Sequence, residues 1–169
     1  NIPDTVTSIG ALAFYKCLEI TTLNIGEATK SIGSETFRGN VSLVTVTFGT
    51  SLETIESYAF EGCVSLNKVG SNTANTINIP TGVQTISSYA FQNANSIKTI
   101  IVPDTVTTIS EGAFKDCVSV TSITLPFIGY QASASSGSSY VFGYIFGTSS
   151  SSTGTTHQSH TYYCIPTSI

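Results

Sequence analysis

One short motif recurs five times and constrains this chain more than any other feature. Ile9-Gly-Ala-Leu-Ala-Phe14 returns as Ile32 to Phe37, Ile55 to Phe60, Ile86 to Phe91 and Ile109 to Phe114. Successive phenylalanines are 23 residues apart, except for one step of 31. A fixed period of this size is the signature of a solenoid, in which each repeat is one coil that cannot bury its apolar face alone.

The repeats are read as 1–23, 24–46, 47–69, 78–100 and 101–123, with an insertion at 70–77. Each unit carries two signals. The first is an apolar triplet at i, i+3, i+5: Ile20/Leu23/Ile25, Leu43/Val46/Phe48, Ile97/Ile100/Val102 and Val120/Ile123/Leu125. Its last two members alternate with polar residues, as in a short strand with one buried face. In the third unit Leu66 and Val69 begin the triplet, and Gly70 with the insertion interrupts it. The second signal is Ile-x-x-x-Ala-Phe, whose offsets of four and five fit a single helical turn. Alone such a turn is unstable, so the Phe is expected to point inward and stack on its counterpart in the next coil. The preceding residue is Ala in four units and Thr36 in the other, as suits a tight corner. Pro3, Pro80, Pro103 and Pro126 follow the strand, where they end the ladder without removing a needed donor. Stacking at roughly 4.8 Å predicts one parallel sheet about 24 Å long over five coils.

Composition supports an uncharged polar surface over a continuous apolar interior. Charged residues are 9% of the chain, apolar residues 40%, and Ser, Thr, Asn and Gly take the place of the missing charges. A net charge of −4 with six basic residues argues against nucleic acid as a partner, which requires a Lys/Arg footprint. No apolar run is long enough for a spanning helix, so no membrane insertion is expected. No signal peptide opens the chain. It starts within a repeat, and 165–169 reads as the start of a further one, so a fragment of a longer array is expected.

The pattern I-P-x-x-V-x-x-I-x-x-x-A-F-x-x-C-x-x-L-x-x-[LIV]-x-[LIV] resembles the BspA-type class of leucine-rich repeats. It covers 1–126 and, after a gap, 165–169, and is nearly complete in 1–23 and 101–123. Leu125-Pro-Phe-Ile-Gly129 followed by Phe142-Gly-Tyr-Ile-Phe-Gly147 is similar to an insertion in such proteins from gut Firmicutes. The resemblance implies a right-handed leucine-rich repeat solenoid, mainly β, with a parallel sheet and short single-turn helical segments. It also implies an extracellular, cell-surface location and a role in adhesion, with a protein or glycan on a host or neighbouring cell as partner. No catalytic residue belongs to the motif.

Cys17, Cys63 and Cys117 lie three residues after the repeat Phe, with Asn40 and Ala94 in the same register. This is the Asn/Cys position of leucine-rich repeats, where a small or polar side chain faces inward. Buried thiols are expected here, and Asn40 is expected to bond backbone of its turn. Coils two or more apart are too distant for a disulfide. The acceptor triplet Asn40-Val-Ser42 is therefore not expected to be glycosylated. His157-Gln-Ser-His160 with Cys164 imitates a metal site only weakly, in a Ser/Thr/Gly-rich stretch without a carboxylate. No nucleophile elbow and no phosphate loop occur, so neither an enzyme nor a cofactor is expected.

Residues 127–164 break the period. Ser/Gly/Thr tracts at 133–139 and 149–156 read as linker. Between them, Tyr140, Phe142, Tyr144 and Phe146 form an aromatic cluster that either caps the solenoid or serves as a binding loop. The second candidate surface is the outer face of the sheet: Thr22, Asn24, Thr45, Thr47, Lys68, Thr99, Ile101, Ser122 and Thr124. Candidate binding residues are thus Tyr140, Phe142, Tyr144 and Phe146 on the insertion and Thr45, Thr47 and Thr124 on the sheet. Two functions follow: a non-catalytic adhesion module, or a passive spacer holding another domain away from the cell wall.

Overall fold

A computed structural model describes residues 1–127 and 142–147. The chain winds as a parallel β-solenoid. Eleven short strands form in chain order: β1 (Ser8–Ile9), β2 (Thr22–Asn24), β3 (Ser31–Ile32), β4 (Thr45–Thr47), β5 (Thr54–Ile55), β6 (Lys68–Val69), β7 (Thr76–Asn78), β8 (Thr85–Ile86), β9 (Thr99–Ile101), β10 (Thr108–Ile109) and β11 (Ser122–Thr124). They build two sheets rather than the single sheet expected. One has the order β1-β3-β5-β8-β10, the other β11-β9-β7-β6-β4-β2, and every pairing is parallel.

The second sheet contains the triplet strands. Leu23, Val46, Ile100 and Ile123 fall into one buried row, with Leu23↔Val46 and Ile123↔Ile100 in register. The first sheet comes from the isoleucine of Ile-x-x-x-Ala-Phe. Ile9, Ile32, Ile55, Ile86 and Ile109 each end a two-residue strand and point inward.

The rest of that motif is not helical. In the first coil the N–H groups of Leu12, Phe14 and Lys16 donate to Ser34, Thr36 and Arg38 of the next coil at 3.0, 2.9 and 2.9 Å. Those of Ala13, Tyr15 and Cys17 donate three residues back, to Gly10, Leu12 and Phe14. A helix would keep all these bonds within its own coil. Here alternate residues serve the turn and the stack. The alternation requires two left-handed residues per coil, among them Leu12 (φ 60°) and Lys16 (φ 52°) in the first and Glu35 (57°) and Gly39 (72°) in the second. Offsets of four and five therefore reflect a run of β-turns that happens to return every fourth or fifth side chain to the interior.

The phenylalanine column occupies that interior. Ring centroids step 5.3 Å from Phe14 to Phe37, Phe37 to Phe60 and Phe60 to Phe91, then 5.8 Å to Phe114. Phe37, Phe60, Phe91 and Phe114 are completely buried, and Phe14, in the first coil, is partly buried. Thr36 fits the alanine position because its hydroxyl donates within reach of the Gly33 and Gly10 carbonyls, at 2.7 and 2.9 Å.

Asn40 is inward, as expected, but its side-chain amide meets no partner among the described residues. In the same register Cys63 and Cys117 each donate Sγ–H to the Phe carbonyl of the preceding coil, at 3.1 and 3.2 Å.

The insertion at 70–77 does not break the sheet; it adds a strand. β6 and β7 pair as Lys68↔Thr76 and Val69↔Ile77, eight residues apart in sequence. Asn67 anchors the excursion, its side-chain oxygen accepting the Asn75 N–H at 3.2 Å and its carbonyl the Thr76 N–H at 2.9 Å. The second sheet thus gains one strand that the first sheet and the Phe column lack.

Two substitutions test this packing. Phe60→Ala is expected to destabilise the chain by roughly 3–5 kcal/mol, the range for truncating a large core side chain, read from denaturant unfolding. Asn40→Cys is expected to stabilise it by about 1–2 kcal/mol, because it removes a buried unpaired amide and supplies the donor used in neighbouring coils. A lowered unfolding midpoint for Asn40→Cys would contradict that account.

Candidate binding site

Among the described residues no group of three His, Cys, Asp or Glu side chains comes together. His157, His160 and Cys164 lie outside the described residues. Cys17, Cys63 and Cys117 are free thiols. Burial pushes both the Cys63 and Cys117 thiols up to about 12, which keeps them protonated and unreactive. Among the described residues no helix is long and apolar enough to cross a membrane.

The two candidate surfaces sit on different parts of the coil. Thr47 is exposed, and Thr45 and Thr124 are half-buried, all on the outer face of the second sheet. Side chains there bond from coil to coil: the Thr47 hydroxyl donates to the Asn24 side-chain oxygen at 2.8 Å, and the Asn24 amide to Asn1 at 2.6 Å. The aromatic segment instead joins the turn arc of the fifth coil. Residues Phe142–Phe146 form a 3-10 turn whose Tyr144 and Ile145 carbonyls accept the N–H groups of Gly112 and Phe114, both at 2.9 Å. Their counterparts one coil earlier, the N–H groups of Tyr89 and Phe91, donate to Glu111 and Ala113 of the fifth coil, so the turn takes the place of a following coil. Ile145 and Phe146 are 1% and 2% exposed and belong to the core, while Tyr144 packs against it partly buried. The Phe146 side chain is thus part of the apolar core. Tyr140 and the Phe142 side chain lie outside the described residues.

Sequence reasoning missed two surface features. The first is on the turn arc. Tyr58 and Tyr89 stack at 5.0 Å, with Arg38 over the former and Lys115 over the latter, at 5.4 and 5.7 Å. Arg38 is held by Glu35 at 2.8 Å and by Glu61. Nearby in the repeat, Leu18, Val41, Val64 and Val118 share one register and are 37–49% exposed. The period was visible, but a helical turn would have aimed these positions differently.

The second is a cleft where the insertion leaves the sheet. Gly70 adopts φ +57° and turns the chain outward; a Cβ there would lie 2.1 Å from the Asn78 carbonyl oxygen. Just past the strands, one backbone bond recurs between coils: Ile2 to Asn24, Ile25 to Thr47, Ile79 to Ile101 and Val102 to Thr124, at 2.8–3.0 Å. The column skips one step. The Phe48 N–H meets no carbonyl of the described backbone, and the Asn78 carbonyl receives no N–H in the place where its counterparts do. The gap is an open cleft of about 420 Å³ lined by Thr47, Phe48, Gly70, Ser71, Asn72 and Asn78. Phe48 is half-buried there, its ring edge-on to Phe60 at 6.2 Å, whereas Ile25, Ile79 and Val102 in its register are buried.

Stacked parallel coils, an inward Phe ladder and a Cys/Asn register together define a known repeat class. The sequence matches the family described as "BspA type Leucine rich repeat region" in six copies, over residues 1–77 and 70–164. The chain belongs to this family. Among solved structures, this BspA-type chain is similar to the T. pallidum leucine rich repeat protein TpLRR, with a TM-score of 0.66 and 29% identity. That alignment covers 72% of this chain and 53% of TpLRR. A leucine-rich repeat protein from Bacteroides ovatus ATCC 8483 aligns with a TM-score of 0.53 and 29% identity, over 72% of this chain and 35% of the other. The BspA-type chain therefore spans about half of the first protein's length and about a third of the second's. No curated protein matches it significantly.

The buried thiols of the BspA-type coils generate a pH prediction. Their folded value of about 12 lies above the ordinary value of 9.0, so the folded state favours the neutral thiol. That contribution is complete below pH 9 and is lost as pH rises towards 12. Stability is expected to fall across this window, and Cys63→Ala/Cys117→Ala should flatten the fall. At pH 8, Cys63 and Cys117 should resist a maleimide in the folded chain and react once it is unfolded, as read by peptide mass spectrometry.

Proposed function

We propose that this chain is a non-catalytic adhesion module of a cell-surface protein, and that its repeats bind a macromolecule on a host or neighbouring cell. The observation that carries the reading is the arc surface. Tyr58, Tyr89 and Arg38, residue types favoured at binding hot spots, lie there in contact with one another. The exposed row Leu18, Val41, Val64 and Val118 adds apolar area. Membership of the BspA-type family supports the same reading. The second sheet contributes mainly hydroxyls, which are poor hot-spot material. That surface is what favours the alternative, a passive spacer.

Binding of the purified chain to cell-matrix proteins and epithelial cells tests the proposal. Tyr58→Asn/Tyr89→Asn keeps a residue type that tolerates the left-handed backbone at both sites. This variant is expected to lose most of the binding, whereas Thr45→Glu/Thr47→Glu/Thr124→Glu keeps it. Loss only in the threonine variant would move the contact to the sheet. No binding by the intact chain to any surface would leave the spacer.

A further inference from the structure

The cleft beside the insertion has a chemical character unlike the rest of the surface. An aromatic residue, two asparagines and two hydroxyl residues line it: Phe48, Asn72, Asn78, Thr47 and Ser71. Among the described residues no charged side chain lines it. The skipped step in the coil-to-coil ladder adds a main-chain donor at Phe48 and an acceptor at Asn78. We propose that this cleft binds a neutral saccharide.

The lining selects the class. An anion or cation would find no counter-charge. A purely apolar ligand would cover the amides of Asn72 and Asn78 without bonding them, which costs free energy. A peptide added as an extra strand needs a continuing row of N–H and C=O groups, and among the described residues this ladder is open at a single step. A sugar ring meets each requirement. Its C–H face packs on an aromatic ring, as apolar surface does on the face of Phe. Its hydroxyls both donate and accept, as do the carboxamides and the open backbone pair. The volume of about 420 Å³ falls within the range of small-ligand sites, roughly 300–1,000 Å³.

The cleft is also rigid at its base. Asn75 donates to the Ser96 carbonyl at 2.8 Å and Asn67 accepts from Asn75, so the insertion is tied to coils on both sides. Phe48 is held edge-on by the buried Phe60.

This inference deepens the adhesion reading and rests on it for its biological setting. The test titrates the isotope-labelled chain with neutral oligosaccharides of hexoses and N-acetylhexosamines, with a sialylated oligosaccharide and a short neutral peptide alongside, and follows backbone amides by NMR. A neutral saccharide is expected to shift the amide resonances of Phe48, Gly70 and Ser71. Phe48→Leu preserves the fold, because Ile or Val occupies this register in other coils, and Asn72 is exposed. Phe48→Leu and Asn72→Ala should each weaken binding by about tenfold, the effect of losing one stacking or amide contact. Their melting midpoints should match that of the parent chain. Shifts produced by the peptide alone, by none of the probes, or confined to residues away from the cleft would overturn the proposal. If the chain still adheres to protein-coated surfaces in that event, the saccharide site falls and the adhesion reading stands; loss of both rejects both.

Discussion

The structure depends on one spacing. Backbone groups of neighbouring coils must meet at parallel-strand distance, about 4.8 Å, and flat rings must stack at a compatible step. The Phe column meets that condition at 5.3–5.8 Å. Because the two repeats nearly match, one element reinforces the other in every coil. The rings fill the interior that the turns enclose, and the turns hold the rings in register. Two left-handed residues per coil are the local cost, tolerated at Tyr58 and Tyr89 as well as at Gly39 and Gly62.

The same condition explains where the regular pattern yields. Eight extra residues cannot be absorbed between two coils whose backbones must touch, so the chain leaves at Gly70 and returns as β7 beside β6. One sheet then holds six strands while the other holds five. The mismatch is not spread along the array. It is concentrated at one ladder step, which opens beside Phe48 and leaves a cleft where other coils have buried Ile or Val. In this fold an insertion can create a site without disturbing the core, because the Phe column continues past it from Phe60 to Phe91 at 5.3 Å.

The last described coil meets the complementary demand. Gly112 and Phe114 carry N–H groups that would go unpaired without a further coil. The Tyr144 and Ile145 carbonyls supply acceptors, and Ile145 and Phe146 close the apolar end. On the arc, Tyr58 and Tyr89 stack at 5.0 Å.

Periodicity alone determined the solenoid, the row of inward phenylalanines, the buried triplet strands and the inward Cys/Asn register. These depend only on which residues recur at which interval, and each coil's environment is set by identical neighbours. Tertiary structure decided what depends on contact between coils. The Ile of Ile-x-x-x-Ala-Phe forms a sheet of its own because its hydrogen-bond partners are 23 residues away, beyond any local offset. Asn40 meets no partner among the described residues, although Cys63 and Cys117 in the same register reach the preceding coil's carbonyl. The cleft at Phe48 and Gly70 arises only where two strands eight residues apart are placed side by side, a juxtaposition that no repeat interval encodes.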